Sequence, residues 1–304
     1  MSNITVGISA YNEERSIAAS IKSALESIPA PLEVIVVASG CTDNTEGVVR
    51  GIMRKERKVK LISEKVRRGK GSAINLILKH AKGGFIVMTD ADLAFPPHSI
   101  KELMKKFGKK IGAVSGRPEY SADSAMFNWW GKFASECANR QRFVREKEGF
   151  HAISGYLYAV RKGIVKGIPA SAKSEDAYVG EMVKQKGYGI GYAPEAVVYV
   201  GYAENYLDYL TQKVRTHFGH LEVFERAGAK SAVESARMAG GIRGEIKEYF
   251  KVAAKRIRNP SEFIYFVLYL ITEVMVWCMA FLKYYLKGKE EWKQIKSTKK
   301  RAFK

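Results

Sequence analysis

The chain has 304 residues, 46% of them hydrophobic, and carries 51 Lys and Arg against 31 Asp and Glu for a net charge of +20. That apolar content excludes disorder as the main state and suffices for one large domain or a catalytic domain with a tail. The positive excess calls for a polyanionic partner, whether nucleic acid, anionic lipid or a phosphorylated substrate, and the three cysteines, Cys41, Cys137 and Cys278, lie too far apart for a zinc knuckle or a CxxC pair, which points to a reduced protein.

The N-terminal MSNITVGISAYNEE reaches charge within 13 residues and lacks the basic start and apolar stretch of a signal peptide, so the folded part is expected in the cytoplasm. Residues 4–9 (ITVGIS), 33–38 (EVIVVA), 59–62 (VKLI) and 85–89 (FIVMT) are apolar runs rich in β-branched residues and read as buried parallel strands. Between them the spacing predicts helices, through Ile17, Ile21, Leu25 and Ile28, then Val48, Val49 and Ile52, then Ala73, Ile74, Ile77 and Leu78. Strand and helix in alternation specify an open α/β sheet, whose ligands sit beyond the carboxyl ends of the strands. Four loops should therefore converge on one edge: 9–14 (SAYNEE), 38–45 (ASGCTDNT), 63–75 (SEKVRRGKGSAIN) and 89–95 (TDADLAF).

From about residue 113 the pattern loosens into mixed strands (IGAVSG, ISGYLYAVRK, IGYAPEAVVYV) and a long helical stretch from Ser124 to Lys147, expected to complete the sheet and build an acceptor site. Leu207 to Arg258 reads as strongly basic helices. Phe263 to Leu282 is apolar apart from Thr272 and Glu273, and its twenty positions span roughly 30 Å, enough for a bilayer. Eight basic residues follow between Lys287 and Lys304. Three readings of this segment compete: a single span, an in-plane or re-entrant helix, and a soluble helix buried in a dimer, so a homo-oligomer stays open. Basic flanks on both sides favour cytoplasmic ends. Glu273 is costly in lipid unless paired or facing protein. The aromatic run MFNWWGKF, Met126 to Phe133, is either a second lipid contact or core.

In TDAD, Asp90 and Asp92 are alternate residues at a strand end, so both carboxylates face one side of the sheet edge. An all-oxygen pair suits a hard cation, Mg²⁺ or Mn²⁺, that shares its ligands with substrate phosphates. Such an ion would neutralise a diphosphate leaving group. Asp43 with Thr45 has a simpler reading as a helix cap, and Lys70 as a solvated charge.

Six pieces taken in order, AYNEE at Ala10 to Glu14, SGCTDNT at Ser39 to Thr45, RGKGSAIN at Arg68 to Asn75, DAD at Asp90 to Asp92, SED at Ser174 to Asp176 and QKVR at Gln212 to Arg215, resemble those of a family 2 glycosyltransferase over roughly residues 4–220. The resemblance implies a GT-A fold, a Rossmann-like mixed sheet sandwiched by helices, here followed by a C-terminal helical, membrane-associated segment. It implies a catalytic domain at 1–220, with a nucleotide-binding half at 1–112 and an acceptor half at 113–220, ahead of a basic helical region at 221–304 with the apolar stretch 263–282. It also implies an inverting transfer of a sugar from a nucleotide diphosphate donor. Ala10, Tyr11 and Glu13 would lie against the nucleoside, Asp43 and Lys70 would line the nucleotide pocket, Asp90 would flank the sugar diphosphate and Asp92 would bind the metal. Asp176 would be the base, and Gln212 and Arg215, three apart on one helix face, would reach the diphosphate.

Many relatives carry an acidic residue where this chain has Ala38 and Ser39, which leaves uridine ahead of guanosine as the expected base. Where processive synthases read QxxRW this chain reads QKVRT, with Thr216 in place of tryptophan, an argument for non-processive transfer to a lipid-linked glycan at a membrane surface. Transfer to a polyprenyl (dolichyl) phosphate is the alternative within the class, though an ionised acceptor needs no base. Nucleic-acid binding is the alternative outside it, but no nucleic-acid signature accompanies the charge.

Overall fold

The computed structural model describes residues 3–147, 153–170, 172, 174–226 and 242–286. Seven strands form one sheet: β1 (Ile4–Ala10), β2 (Glu33–Ser39), β3 (Val59–Glu64), β4 (Phe85–Asp90), β5 (Ile111–Ser121), β6 (Leu157–Arg161) and β7 (Gly189–Gly201), in the order β3-β2-β1-β4-β6-β5-β7. The first four are mutually parallel, joined by α1 (Ile17–Leu25), α2 (Thr45–Met53) and α3 (Lys70–His80). β6 then enters antiparallel to both β4 and β5, which makes the sheet mixed. Between β4 and β5 lies α4 (Ser99–Lys105), and α6 (Glu175–Gln185) precedes β7. α5 (Ala125–Lys147), α7 (Tyr206–Arg226), α8 (Ile242–Arg256) and α9 (Pro260–Tyr285) complete the chain.

β1, β2 and β4 form where expected because they are covered on both faces, every residue of β2 being buried, the condition under which a continuous β-branched run outcompetes a helix; β3, at the edge of the sheet, fully buries only Val59. α1 buries Ile17, Ser20, Ile21 and Ala24, but the apolar series does not continue to Ile28. That residue is exposed, precedes a cis peptide to Pro29 and donates its N–H to the Pro97 carbonyl at 2.7 Å. A proline so close to the last apolar repeat ends the helix. Beneath α3 and α6 a core gathers Ile35, Val37, Ile74, Ile77, Met88, Tyr158, Val160, Val179 and Val183.

The described residues divide into two compact units, one drawn from 3–118 and 145–200 and the other from 119–144 and 201–286. The first holds the parallel sheet. The second has its own core of aromatic rings, among them Phe127, Trp129, Trp130, Phe133, Tyr209, Tyr249, Phe266 and Tyr269, so MFNWWGKF is packed inside it. Trp130 donates its indole N–H to the Tyr265 carbonyl at 2.8 Å.

Candidate active site

The register of the parallel strands sets Ser9 opposite Asp90 and Ala10 opposite Ala38, which brings the loops after β1, β2 and β4 to one edge. Those after β1 and β2 are pinned to each other. Asn12, in the left-handed backbone region at φ 53°, donates from Nδ2 to Thr42 Oγ1 at 3.0 Å and accepts the Thr42 N–H at 2.8 Å. Asp43 accepts the Glu14 N–H at 3.0 Å, the Thr45 N–H at 3.0 Å and the Thr45 hydroxyl at 2.5 Å. Burial pushes its carboxyl up, and these hydrogen bonds more than reverse it, holding it below the usual range. Asp43 thus accepts the first N–H of α2, whose N-cap is Asn44, and ties the first loop to the second.

Glu13 is buried, its carboxylate accepting the Ser16 hydroxyl at 2.8 Å while its N–H donates to Thr45 Oγ1 at 2.7 Å. Ala10 ends β1, buried, with its carbonyl facing the Cys41 thiol at 3.8 Å. The half-buried Tyr11 ring lies under the Arg67 guanidinium, 3.9 Å from its centroid. Gly40, at φ +66°, lies so close to Arg67 that a Cβ would fall 2.3 Å from the Arg67 nitrogen, and Ser39 Oγ accepts the Arg68 N–H at 3.1 Å. The second and third loops are closed onto each other at that point.

α3 starts at Lys70, and its first turn is set against the 169–170 backbone: a Cβ on Gly71 would stand 2.5 Å from the Pro169 carbonyl oxygen. Asn75 fixes the same segment, accepting the Ile168 N–H and donating to the Ile168 carbonyl, both at 2.8 Å. Lys70 so anchored reaches the Asp90 carboxylate at 2.7 Å, which also accepts the Ser9 hydroxyl at 2.9 Å. Burial alone would lower the Lys70 pKa, but Asp90, Glu175 and Asp176 raise it well above the usual range, so the ammonium is retained. Lys70 is paired, and the solvated-charge reading does not hold.

Asp92, two residues beyond β4, is pushed up to about 6 by burial and then by Asp90, with Lys70 opposing. Two carboxylates thus share one cationic partner. Among the described residues no three His, Cys, Asp or Glu side chains gather closely enough to hold a metal by themselves. An all-oxygen pair with excess negative charge nonetheless fits a hard divalent ion whose sphere is filled by phosphate oxygens. Asp92 would be its protein ligand.

Asp176 lies in the first turn of α6 and accepts the Ala177 N–H at 2.9 Å. The Gly155 backbone lies beside it, for a Cβ there would stand 3.1 Å from Asp176 Oδ2. Two further groups belong to this cluster, one quoted within SED without a role and one that sequence reasoning passed over. Glu175 is held above the usual carboxyl range by burial, with Asp176 and Asp90 adding to it against Lys70. Tyr158, on β6, has a buried hydroxyl without a hydrogen-bond partner, and burial with Asp176, Glu175 and Asp90 holds its phenol well above its usual value. The signal for Tyr158 was the antiparallel strand, which carries no motif. Gln212 and Arg215 lie half-buried on α7 in the second unit.

Residues 5–168 match the family model described as Glycosyl transferase family 2. The chain is 26% identical over 229 residues to the poly-beta-1,6-N-acetyl-D-glucosamine synthase of Staphylococcus epidermidis, which covers 72% of this chain and 55% of the relative. The synthase of the same name from Staphylococcus aureus is 25% identical over 236 residues, 74% of this chain and 56% of the relative. The chain therefore spans about half the length of these curated relatives. Among solved structures, the mannosyltransferase PcManGT of Pyrobaculum calidifontis, in complex with GDP-Man and Mn²⁺, is similar at TM-score 0.66 and 19% identity, over 94% of this chain and 88% of that one. Glucosyl-3-phosphoglycerate synthase of Mycobacterium tuberculosis, in complex with Mn²⁺, UDP and phosphoglyceric acid, follows at 0.50 and 21%, over 76% and 80%. A mixed seven-stranded sheet with GT-A neighbours, a carboxylate pair at its carboxyl edge and a family match over more than half the chain lead to one conclusion: the chain belongs to glycosyl transferase family 2 and has the GT-A fold.

Proposed function

We propose that the chain moves a sugar from a nucleotide diphosphate donor, a uridine diphosphate sugar, to a hydroxyl of a lipid-linked glycan at a membrane, one residue at a time and with inversion. The observation that carries this is the 2.7 Å pairing of Lys70 with Asp90 beside Asp92, with Glu175 and Asp176 acting on the same lysine. Donor chemistry and proton acceptance then meet in one cluster. Asp176, with one oxygen held by a backbone N–H, takes the proton as the acceptor oxygen attacks the anomeric carbon. The bond from that carbon to the diphosphate breaks, and the diphosphate leaves with the electron pair. One displacement with one base inverts the centre. Bound at Asp92, Mg²⁺ or Mn²⁺ would supply positive charge to the leaving group. Ala10, Tyr11, Glu13 and Asp43 shape the nucleoside end, and Gln212 and Arg215 serve the diphosphate. Basic flanks of the apolar segment favour the cytoplasmic side for this unit.

Thermal stabilisation by a panel of nucleotide sugars, with and without Mn²⁺, tests the reading: a uridine diphosphate sugar should stabilise the protein only with the metal. Absence of any shift with uridine or guanosine donors would overturn it. The names of the staphylococcal relatives favour a second reading, polymer synthesis. Against it, the position of the processive tryptophan holds Thr216, whose hydroxyl donates to the Gln212 carbonyl at 2.9 Å. The length distribution of products separates the two.

A further inference from the structure

α9 is covered along its length on one side only. Its first turns meet the rings of α5 and α8, Phe266 against Phe133 at 5.6 Å and Tyr269 against Tyr249 at 5.7 Å. Its later turns meet α7, where Tyr206 shares a hydrogen bond with Thr272 at 3.2 Å. Tyr209 donates to Glu273 at 2.5 Å and Lys213 lies 3.3 Å from it. His217 packs edge-on to Trp277 at 4.3 Å. Contacts advance together along both helices, so α7 and α9 run side by side in the same direction. The other face of α9 is exposed and apolar: Ile264, Leu268, Ile271, Val274, Cys278 and Leu282 recur every three or four residues without a charge.

A span would require one of two costly states. If α9 left its neighbours, Glu273 would enter lipid without Lys213 and Tyr209. If the helices entered together, the charges of α7 would go with them. Lying in the interface requires neither. Beside the first turn of α9 is an open pocket of about 370 Å³ lined by Glu136, Lys255, Arg256, Arg258 and Glu262. Arg256 Nη1 is 3.3 Å from Glu136, while its Nε is buried with no acceptor. Lys255 and Arg258 side chains make no ion pair among the described residues. Three cations against two carboxylates leave a net positive pocket at the end of an apolar stripe.

We propose that α9 lies in the plane of an anionic phospholipid leaflet, its exposed stripe among the acyl chains and a headgroup phosphate in the Lys255–Arg256–Arg258 pocket. This rests on the membrane-bound part of the proposed function and fixes how the membrane is held. The test uses the full chain and phosphatidylcholine vesicles with or without phosphatidylglycerol. Binding should require phosphatidylglycerol. Lys255→Gln with Arg258→Gln should weaken it about fivefold per charge removed, and Ile271→Asp with Val274→Asp should lower it about tenfold. Depth is read with fluorophores at Ile264→Cys, Ile271→Cys and Leu282→Cys, each with Cys278→Ser, quenched by lipids brominated at set positions. Residues 264 and 282 are about 27 Å apart along the helix axis, so one shallow depth for all three supports the proposal. Outer sites in opposite leaflets with 271 deepest would overturn it, as would a concentration-dependent dimer that binds no vesicles. Donor stabilisation on the same preparations keeps the outcomes apart: retained with vesicle binding lost, it sinks only this proposal, and lost throughout, it sinks the transferase reading.

Discussion

Asp176 shares its cluster with Glu175, one residue earlier, and the two carboxylates differ in what surrounds them. Asp176 has an oxygen on the Ala177 N–H, 2.9 Å away, and a glycine backbone alongside, whereas Glu175 is held above its ordinary range by burial and neighbouring charge. Asp176→Asn keeps the shape and the backbone contact and removes the proton acceptor, so turnover should fall by about 10²–10⁴-fold while donor stabilisation persists. Near-normal turnover would remove Asp176 from the role of base. Asp92→Asn should instead erase the Mn²⁺-dependent part of donor stabilisation, a change read by thermal shift without any activity measurement. At this scale the sequence was legible where a residue type has few uses at a strand end, as in Asp90 and Asp92. It was ambiguous for Asp43, where capping and pocket roles share one residue type. It was silent on Tyr158, whose partners come from α6 and β4 and carry no local pattern.

At the scale of elements, the parallel half was readable because its inner strands β1, β2 and β4 are buried on both faces and each helix on one, so composition and period agree with tertiary demand. β6 was not readable in place: nothing local to 157–161 says that it enters between β4 and β5. Two contacts fix the elements that carry the site. Glu33, at the start of β2, accepts the Thr5 hydroxyl at 2.8 Å and the Lys82 N–H at 2.6 Å, and pairs with Lys60, linking β1, β2, β3 and the turn before β4. Burial raises its carboxyl from 4.5, but the bonds from Lys60, Lys82 and Thr5 outweigh it and leave the value lowered. A lowered carboxyl contributes stability above the unfolded value, and that contribution is lost as pH falls through the folded one. Glu33→Gln should therefore cost about 1–3 kcal/mol at neutral pH, with the gap to wild type closing below about pH 4.5. A gap that stays constant down to acid unfolding would contradict the assignment. Gly71→Ala sets two effects against each other. Helix propensity favours alanine by about 1 kcal/mol, but the new Cβ would meet the Pro169 carbonyl oxygen at 2.5 Å. Overpacking costs about 1–3 kcal/mol, so the variant should be less stable and, with Lys70 displaced, bind donor more weakly. A gain in melting temperature would show that the 169–170 segment yields freely.

Over the whole molecule, each unit carries its own core, and the two are built differently. The first is mainly aliphatic, and its parallel half, β1 to β4 with α1 to α3, is laid down by chain neighbours, which is why that half could be parsed in order. The second draws rings from α5, α7, α8 and α9, as in Trp130 with Tyr269, 139 positions on, at 5.6 Å, a pairing no local window contains. Within it Glu273 is a buried charge held by Lys213 and Tyr209. Removing one partner strands a buried charge, so Glu273→Leu alone should destabilise by about 3–5 kcal/mol. Replacing both, Glu273→Leu with Lys213→Met, leaves only the Tyr209 hydroxyl without its acceptor, and adding Tyr209→Phe removes that as well. The triple variant should recover most of the stability, because apolar replacements of a buried ion pair are often neutral or favourable by about 1–4 kcal/mol. Chemical denaturation of the three variants measures this directly. If the triple variant remained as unstable as the single one, the pair would not be the reason that a carboxylate survives in the middle of the most apolar helix of the described chain, and a role for Glu273 outside the packing of α7 on α9 would have to replace it.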